Sequence, residues 1–219
     1  MTGANRKFPA SVMLFLLVAC YLLVPFKQLF AQTRPDALQA FREGNYERSV
    51  QICRAEIAEN PNNLESHVVI SWALIRLGRF NEAMNYALAG RRISRYDLRI
   101  INSLGEISFF MGRNNEALQF FQEFLTLAHE GTRVNTVYYY IGEIFIRQGR
   151  FRHADVALST AVHWSPGNAL WWTRLGFARE NAGDLREAVV AYERALSLNP
   201  QLVDAQRGLE RVRQALARF

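Results

Sequence analysis

Small and apolar positions recur in register along most of this chain. Glycines stand at 44, 78, 112, 149 and 183, spaced 34, 34, 37 and 34 apart. Seven residues before them stand Ala37, Ser71, Gly105, Gly142 and Gly176; five after, Ser49, Ala83, Ala117, Ala154 and Ala188. Nine after come Cys53, Ala87, Phe121, Leu158 and Tyr192. A repeat of this period predicts a stack of antiparallel helix pairs. Each glycine takes the left-handed conformation that ends one helix before the next begins. The two small columns let the paired helices touch, and the column nine residues on fills the space between neighbouring repeats. Pro61, Pro166 and Pro200, each seventeen residues after a glycine, stop the second helix. Arg95 and His129 take that place in the middle repeats. From 203 to 219, Ala205, Leu209, Val212, Leu216 and Phe219 recur at helical spacing. This predicts a terminal helix capping the last repeat.

The first thirty-one residues show another pattern. Arg6 and Lys7 precede an uncharged run from Phe8 to Phe26. Such a run predicts an export signal or a membrane anchor, and basic residues before it place the repeats on the far side of the membrane. Three endings stay open. Leu29-Phe30-Ala31 offers a cleavage site after Ala31, Leu17-Val18-Ala19-Cys20 resembles a lipobox with Cys20 as the lipidated residue, and an uncleaved anchor needs neither.

Charge and cysteine narrow the picture. Of the net +6, Arg6, Lys7 and Lys27 supply half, and the remaining charges are interspersed rather than gathered. The surface is therefore a solvated helical one, and a nucleic-acid partner is not expected. With Cys20 inside the apolar run, Cys53 has no partner within the repeats, so it is expected to be a small core residue.

The last repeat carries Trp172, Leu175, Gly176, Gly183, Ala188, Tyr192, Ala195 and Pro200, and the one before carries Tyr138, Ile141, Gly142, Phe145, Gly149, Ala154, Leu158, Ala161 and Pro166. This pattern resembles the tetratricopeptide-repeat (TPR) family over about four fifths of the chain. Thr33 and His67 depart from its aromatic column, Glu56 and Gly90 from an alanine column, and Arg179 stands where a tyrosine is usual. The resemblance implies an all-α, right-handed solenoid of about five helix pairs with a capping helix, preceded by the signal or anchor helix. Units are expected at 30–63, 64–97, 98–134, 135–168 and 169–202, the cap at 203–219, and the signal or anchor at 1–31.

The resemblance also implies a concave groove lined by the first helices. Its positions fall on Glu65, Val68, Trp72, Ile75 and Arg76; on Arg99, Asn102, Glu106, Phe109 and Phe110; on Thr136, Tyr139, Glu143, Ile146 and Arg147; and on Leu170, Thr173, Phe177, Glu180 and Asn181. Large aromatics mixed with arginine, asparagine and glutamate suit an anchoring surface for a protein or peptide. A chaperone-tail clamp, which in this family needs lysines, is disfavoured because no lysine comes after Lys27.

Catalysis is not expected. The four histidines fall at different phases of the repeat and are expected on surfaces or loops. No His/Cys/Asp/Glu set has metal-ligand spacing, and His153 and Asp155, two apart on a helix, do not face each other. No cofactor is expected. The reading is an exported or membrane-associated, bacterial-type scaffold that holds a protein or peptide and serves envelope assembly. Its alternatives are a small apolar-ligand or substrate-delivery protein and an oligomeric structural element. The oligomeric state is not encoded legibly.

Overall fold

In the first helix pair the chain reverses at Gly44, whose φ is +79°, and the same left-handed turn recurs at Gly78, Gly112, Gly149 and Gly183. The residue after each glycine donates its N–H to the carbonyl five residues back, at 2.9 Å in all five cases. That bond satisfies a carbonyl the helix end would otherwise leave unpaired. A side chain at these glycines would be strained by the backbone rather than by crowding, since open space surrounds each one.

The computed structural model describes residues 36–128 and 134–218. Eleven helices are described: α1 (Ala37–Arg42), α2 (Tyr46–Glu59), α3 (Leu64–Arg76), α4 (Phe80–Ile93), α5 (Leu98–Phe110), α6 (Asn114–Leu127), α7 (Val134–Arg147), α8 (Phe151–Trp164), α9 (Ala169–Ala182), α10 (Leu185–Leu198) and α11 (Val203–Leu216). No strand occurs among the described residues. The uncharged run, Cys20, Ala31 and His129 lie outside them. Asn63, Asp97 and Asn168 start α3, α5 and α9, each accepting a backbone N–H of the first turn on its side chain. The repeats belong to one unit, Ala37–Phe219.

The three columns meet in space. Column residues Cys53, Ala87, Phe121 and Leu158 are fully buried, and Tyr192 nearly so. A methyl group added at Gly142 would come within 2.5 Å of Leu158, one at Gly176 within 2.7 Å of Tyr192, and one at Gly105 would enter the Phe121 ring. In the first two repeats Ala37 and Ser71 replace the glycine, and there the opposing residues are the small Cys53 and Ala87. The two columns trade volume, so that a large residue in one meets a glycine in the other. Burial pushes the Cys53 thiol up to about 12, from an ordinary 9.0.

Successive first helices pack on one another, α1 on α3, α3 on α5, α5 on α7, α7 on α9 and α9 on α11, whereas among the described residues no two second helices pack together. The first three second helices are joined instead by long side chains, Arg54 to Glu82 at 2.6 Å and Arg91 to Glu123 at 2.8 Å. The stack is thus tighter along its first helices, which line its concave side.

His67, expected at a surface or loop, is buried instead. Its Nε2 lies 3.0 Å from the Pro61 carbonyl. A carbonyl can only accept, so Nε2 carries the proton. Trp172 makes the equivalent bond to the Pro166 carbonyl at 2.9 Å, and Gln206 to that of Pro200 at 2.7 Å. His67 therefore performs the aromatic column's polar task, tying the start of a first helix to the carbonyl six residues back. Arg179, where a tyrosine is usual, bonds Asp155 at 2.9 Å and so links α9 to α8.

Candidate partner-binding groove

The concave face is held in shape by side chains that reach from one first helix to the next. Arg99 of α5 binds Glu65 of α3 at 2.8 Å, Arg174 of α9 grips Glu143 of α7 with bonds of 2.6 and 3.0 Å, and Arg211 of α11 binds Glu180 of α9 at 2.7 and 2.8 Å. Bidentate pairing of this kind fixes geometry as well as charge. The Glu180 carboxyl is pushed up by burial, but hydrogen bonds from Arg211 and Tyr192 outweigh it and hold the group below the usual carboxylate range. Between α5 and α7 the link is different: the Arg147 guanidinium lies 3.8 Å over the Phe109 ring and donates to the Phe109 carbonyl at 3.0 Å.

Aromatic side chains fill the spaces between these links. Tyr139 stacks on Trp171 at 5.1 Å, Phe110 stacks on Phe80 at 5.2 Å, and Tyr140 lies parallel to Phe121 at 5.6 Å. Burial pushes the Tyr139 phenol up, and the Glu143 carboxylate beside it adds to the effect.

The residues expected in the groove divide into three kinds. Phe109 is buried and belongs to the core, and Trp72, half-buried, packs its ring 5.8 Å from Phe41. Glu65, Asn102, Glu106, Glu143 and Glu180 are already engaged, Asn102 donating to Glu106 at 2.7 Å. Phe110, 44% exposed, and Arg76, which has no ion-pair or hydrogen-bond partner among the described residues, remain open to a ligand. Asn181 is exposed but donates to the Phe177 carbonyl at 2.8 Å, and the half-buried Phe177 ring packs edge-on to Phe151. Arg76 and Glu106 both act on the half-buried Tyr140 phenol, the first drawing its affinity for the proton down and the second raising it. Phe110 stands 34 residues after Arg76, at the same register of the next first helix. The result is an aromatic plate at Phe110 beside a cation at Arg76, an arrangement suited to anchoring an apolar side chain next to a carboxylate or carbonyl.

Sequence reasoning missed Arg174, Arg211 and Trp171. A signal for the arginines was present, since Glu65, Glu143 and Glu180 are each followed by an arginine 34, 31 and 31 residues later, one repeat along. Among the described residues no three His, Cys, Asp or Glu groups could hold a metal ion. His153 packs against the Phe145 ring while Asp155 serves Arg179, so the two do not act together.

Such a stack is a helical-repeat solenoid. Residues 169–202 match the tetratricopeptide repeat family, and the stack as a whole has the fold of tetratricopeptide-repeat solenoids. Its fold is similar to that of PilW, a widely conserved type IV pilus biogenesis factor, with a TM-score of 0.72 at 18% identity over 83% of each chain. It is similar to MamA, with a TM-score of 0.66 at 19% identity over 76% of this chain and 96% of that one. YrrB, described as a TPR protein with an unusual peptide-binding site, gives 0.66 at 16% identity over 75% and 84%. At such identities the likeness is one of fold. Among curated proteins, the peroxisomal targeting signal receptor of Kluyveromyces lactis is 33% identical over 69 residues, 32% of this chain and 12% of its own. The BBSome complex member BBS4 homolog of Drosophila melanogaster is 25% identical over 58% of this chain and 28% of its own. The chain thus spans well under a third of the length of the curated relatives it matches.

Proposed function

We propose that this protein is an exported or membrane-tethered scaffold that holds a partner protein or peptide against its first helices, in the service of envelope assembly. The observation that carries the reading is the pair Phe110 and Arg76, the one exposed and the other unpartnered on a face whose other charges are already engaged. A surface built of bonded neighbours round a few open anchors loses little conformational freedom on binding. The peptide-binding site of YrrB and the role of PilW in pilus biogenesis, on solenoids of similar fold, support a peptide-holding scaffold of this kind. Export rests on Arg6 and Lys7 before the uncharged run to Phe26.

Two experiments test it. Full-length protein, affinity-captured from the membranes of the source cells, is expected to bring down a discrete partner, and Phe110→Ala with Arg76→Ala is expected to lose it while the melting temperature holds. Retention of that partner by the double variant would place the interaction elsewhere. A reporter active only outside the cytoplasm, fused after Phe219, is expected to be active; a stable but inactive fusion overturns export.

A further inference from the structure

On the outer side of the stack a cleft of about 1090 Å³ opens between α6, α7 and α8. It lies where the glycine spacing lengthens from 34 to 37 residues. Ion pairs tie α2 to α4 and α4 to α6, but none ties α6 to α8 among the described residues. The floor is apolar, formed by Leu118 and Leu125 of α6 and by Ile141 and Phe145 of α7, with Val156 of α8 at the rim. Val156 is 69% exposed, more than any other large hydrophobic residue described. At its register the first three second helices carry Gln51, Asn85 and Gln119, and α10 carries Val190, also exposed. A single exposed valine means little, but one that continues an apolar floor extends a patch.

One end of the cleft is positive. Arg150, Arg152 and His153 line it, with Arg150 lying 4.6 Å over the Phe145 ring. At the register of His153, helices α4, α6 and α10 carry Glu82, Glu116 and Glu187, which suit the positive end of a helix dipole; α8 has no acid in its first turn. Arg152 has no ion-pair partner among the described residues. Its charge is left for something outside the fold.

We propose that this cleft receives an amphipathic helix of a partner protein, seated for two turns with its apolar side down and an acidic residue toward Arg150 and Arg152. The cleft is wide enough to take the apolar side of a helix two turns long. The cleft is open to solvent, as a helix with one wet face requires. Complementary charge fixes the direction in which it lies. The groove on the first helices is a separate surface, so this inference stands independently of that reading and gives the scaffold a second docking face.

The test uses the full chain and a fluorescein-labelled, designed five-turn helix with leucines along one face and glutamates flanking them, read by fluorescence anisotropy. A matched helix with lysines in place of the glutamates is the charge control. The acidic helix is expected to bind about tenfold more tightly than the basic one, Val156→Asp to weaken it about tenfold, and Arg152→Glu to reverse the preference. Both substitutions are at exposed positions, so circular dichroism is expected to be unchanged, and Phe110→Ala is expected to leave binding intact. The proposal is overturned if the two helices bind equally, if neither binds at millimolar concentration, if Val156→Asp has no effect, or if Phe110→Ala abolishes binding. Self-association that Val156→Asp disrupts while the acidic helix fails to bind would assign the cleft to a second copy and equally overturn it.

Discussion

Two junctions of the stack are built from the same columns and close to different degrees. Between α9, α10 and α11, the Tyr192 ring lies over Gly176 on one side and Gly208 on the other, so close that a methyl group on either would collide with it. Its hydroxyl donates to Glu180 at 2.6 Å, and Glu180 in turn is held by Arg211. Apolar contact and polar bonds there end on one side chain. Between α6, α7 and α8, Leu158 is just as deeply buried over Gly142. Yet Leu118, Leu125, Ile141 and Phe145 outside it stay only half-buried and line the open cleft. The glycine column seals each pair from within. At the closed junction a further residue bridges to the next element, whereas among the described residues no ion pair joins α6 to α8.

The sharpest way to break the closed junction is to empty it. Tyr192→Ala removes a 1%-exposed ring with a bonded hydroxyl and is expected to cost about 3–5 kcal/mol, read by urea denaturation. Val156→Ala, at the open junction, is expected to change stability by less than about 0.5 kcal/mol. Equal losses would mean that the two junctions do not differ as described. Overfilling comes next. Ala188 is fully buried, and Ala188→Leu is expected to cost about 1–3 kcal/mol, visible as a lowered melting temperature. An unchanged melting temperature would contradict the assignment of Ala188 to the close contact between α9 and α10.

A third contrast is in pH. Burial pushes up the Cys53 thiol and the Tyr140 and Tyr192 phenols, and for Tyr192 the hydrogen bond to Glu180 adds to it. In each case the folded protein keeps a proton that the unfolded chain has released. The stability these groups contribute is complete below their unfolded values and is lost as pH rises from about 9 toward 12. Tyr192→Phe is expected to flatten the phenol's share of that decline while lowering stability near neutrality by about 0.5–1.5 kcal/mol through the lost bond. An alkaline profile identical to wild type would mean that the Tyr192 phenol has no part in it.

Much of the fold was legible because it rests on period. The left-handed glycines, the buried columns at Ala154, Ala188, Leu158 and Tyr192, and the helix beyond residue 203 arise from spacing and residue size alone. The groove was legible only as a face. Spacing puts Phe109 and Phe110 on the same side of α5, but whether a ring faces solvent or the neighbouring repeat depends on what that repeat offers, and Tyr140 and Arg147 turn Phe109 inward. His67 misled for a related reason. Its chemistry is polar, but its column demands a ring that donates to a carbonyl, and imidazole meets that demand as indole does. The outer cleft left only the 37-residue spacing as a trace, since a gap between elements has no residue type of its own.

The smallest structural change bears on the placing of the partner. A photo-crosslinking amino acid placed at Phe110, on the concave face, and in a second protein at the exposed Arg194 of α10, removes almost nothing from the fold. Irradiated in living source cells, the first is expected to give one discrete crosslinked protein and the second none. A crosslink from Arg194 to that same protein, or none from Phe110 in a protein that is made and folded, would contradict the placing of the partner on the first helices.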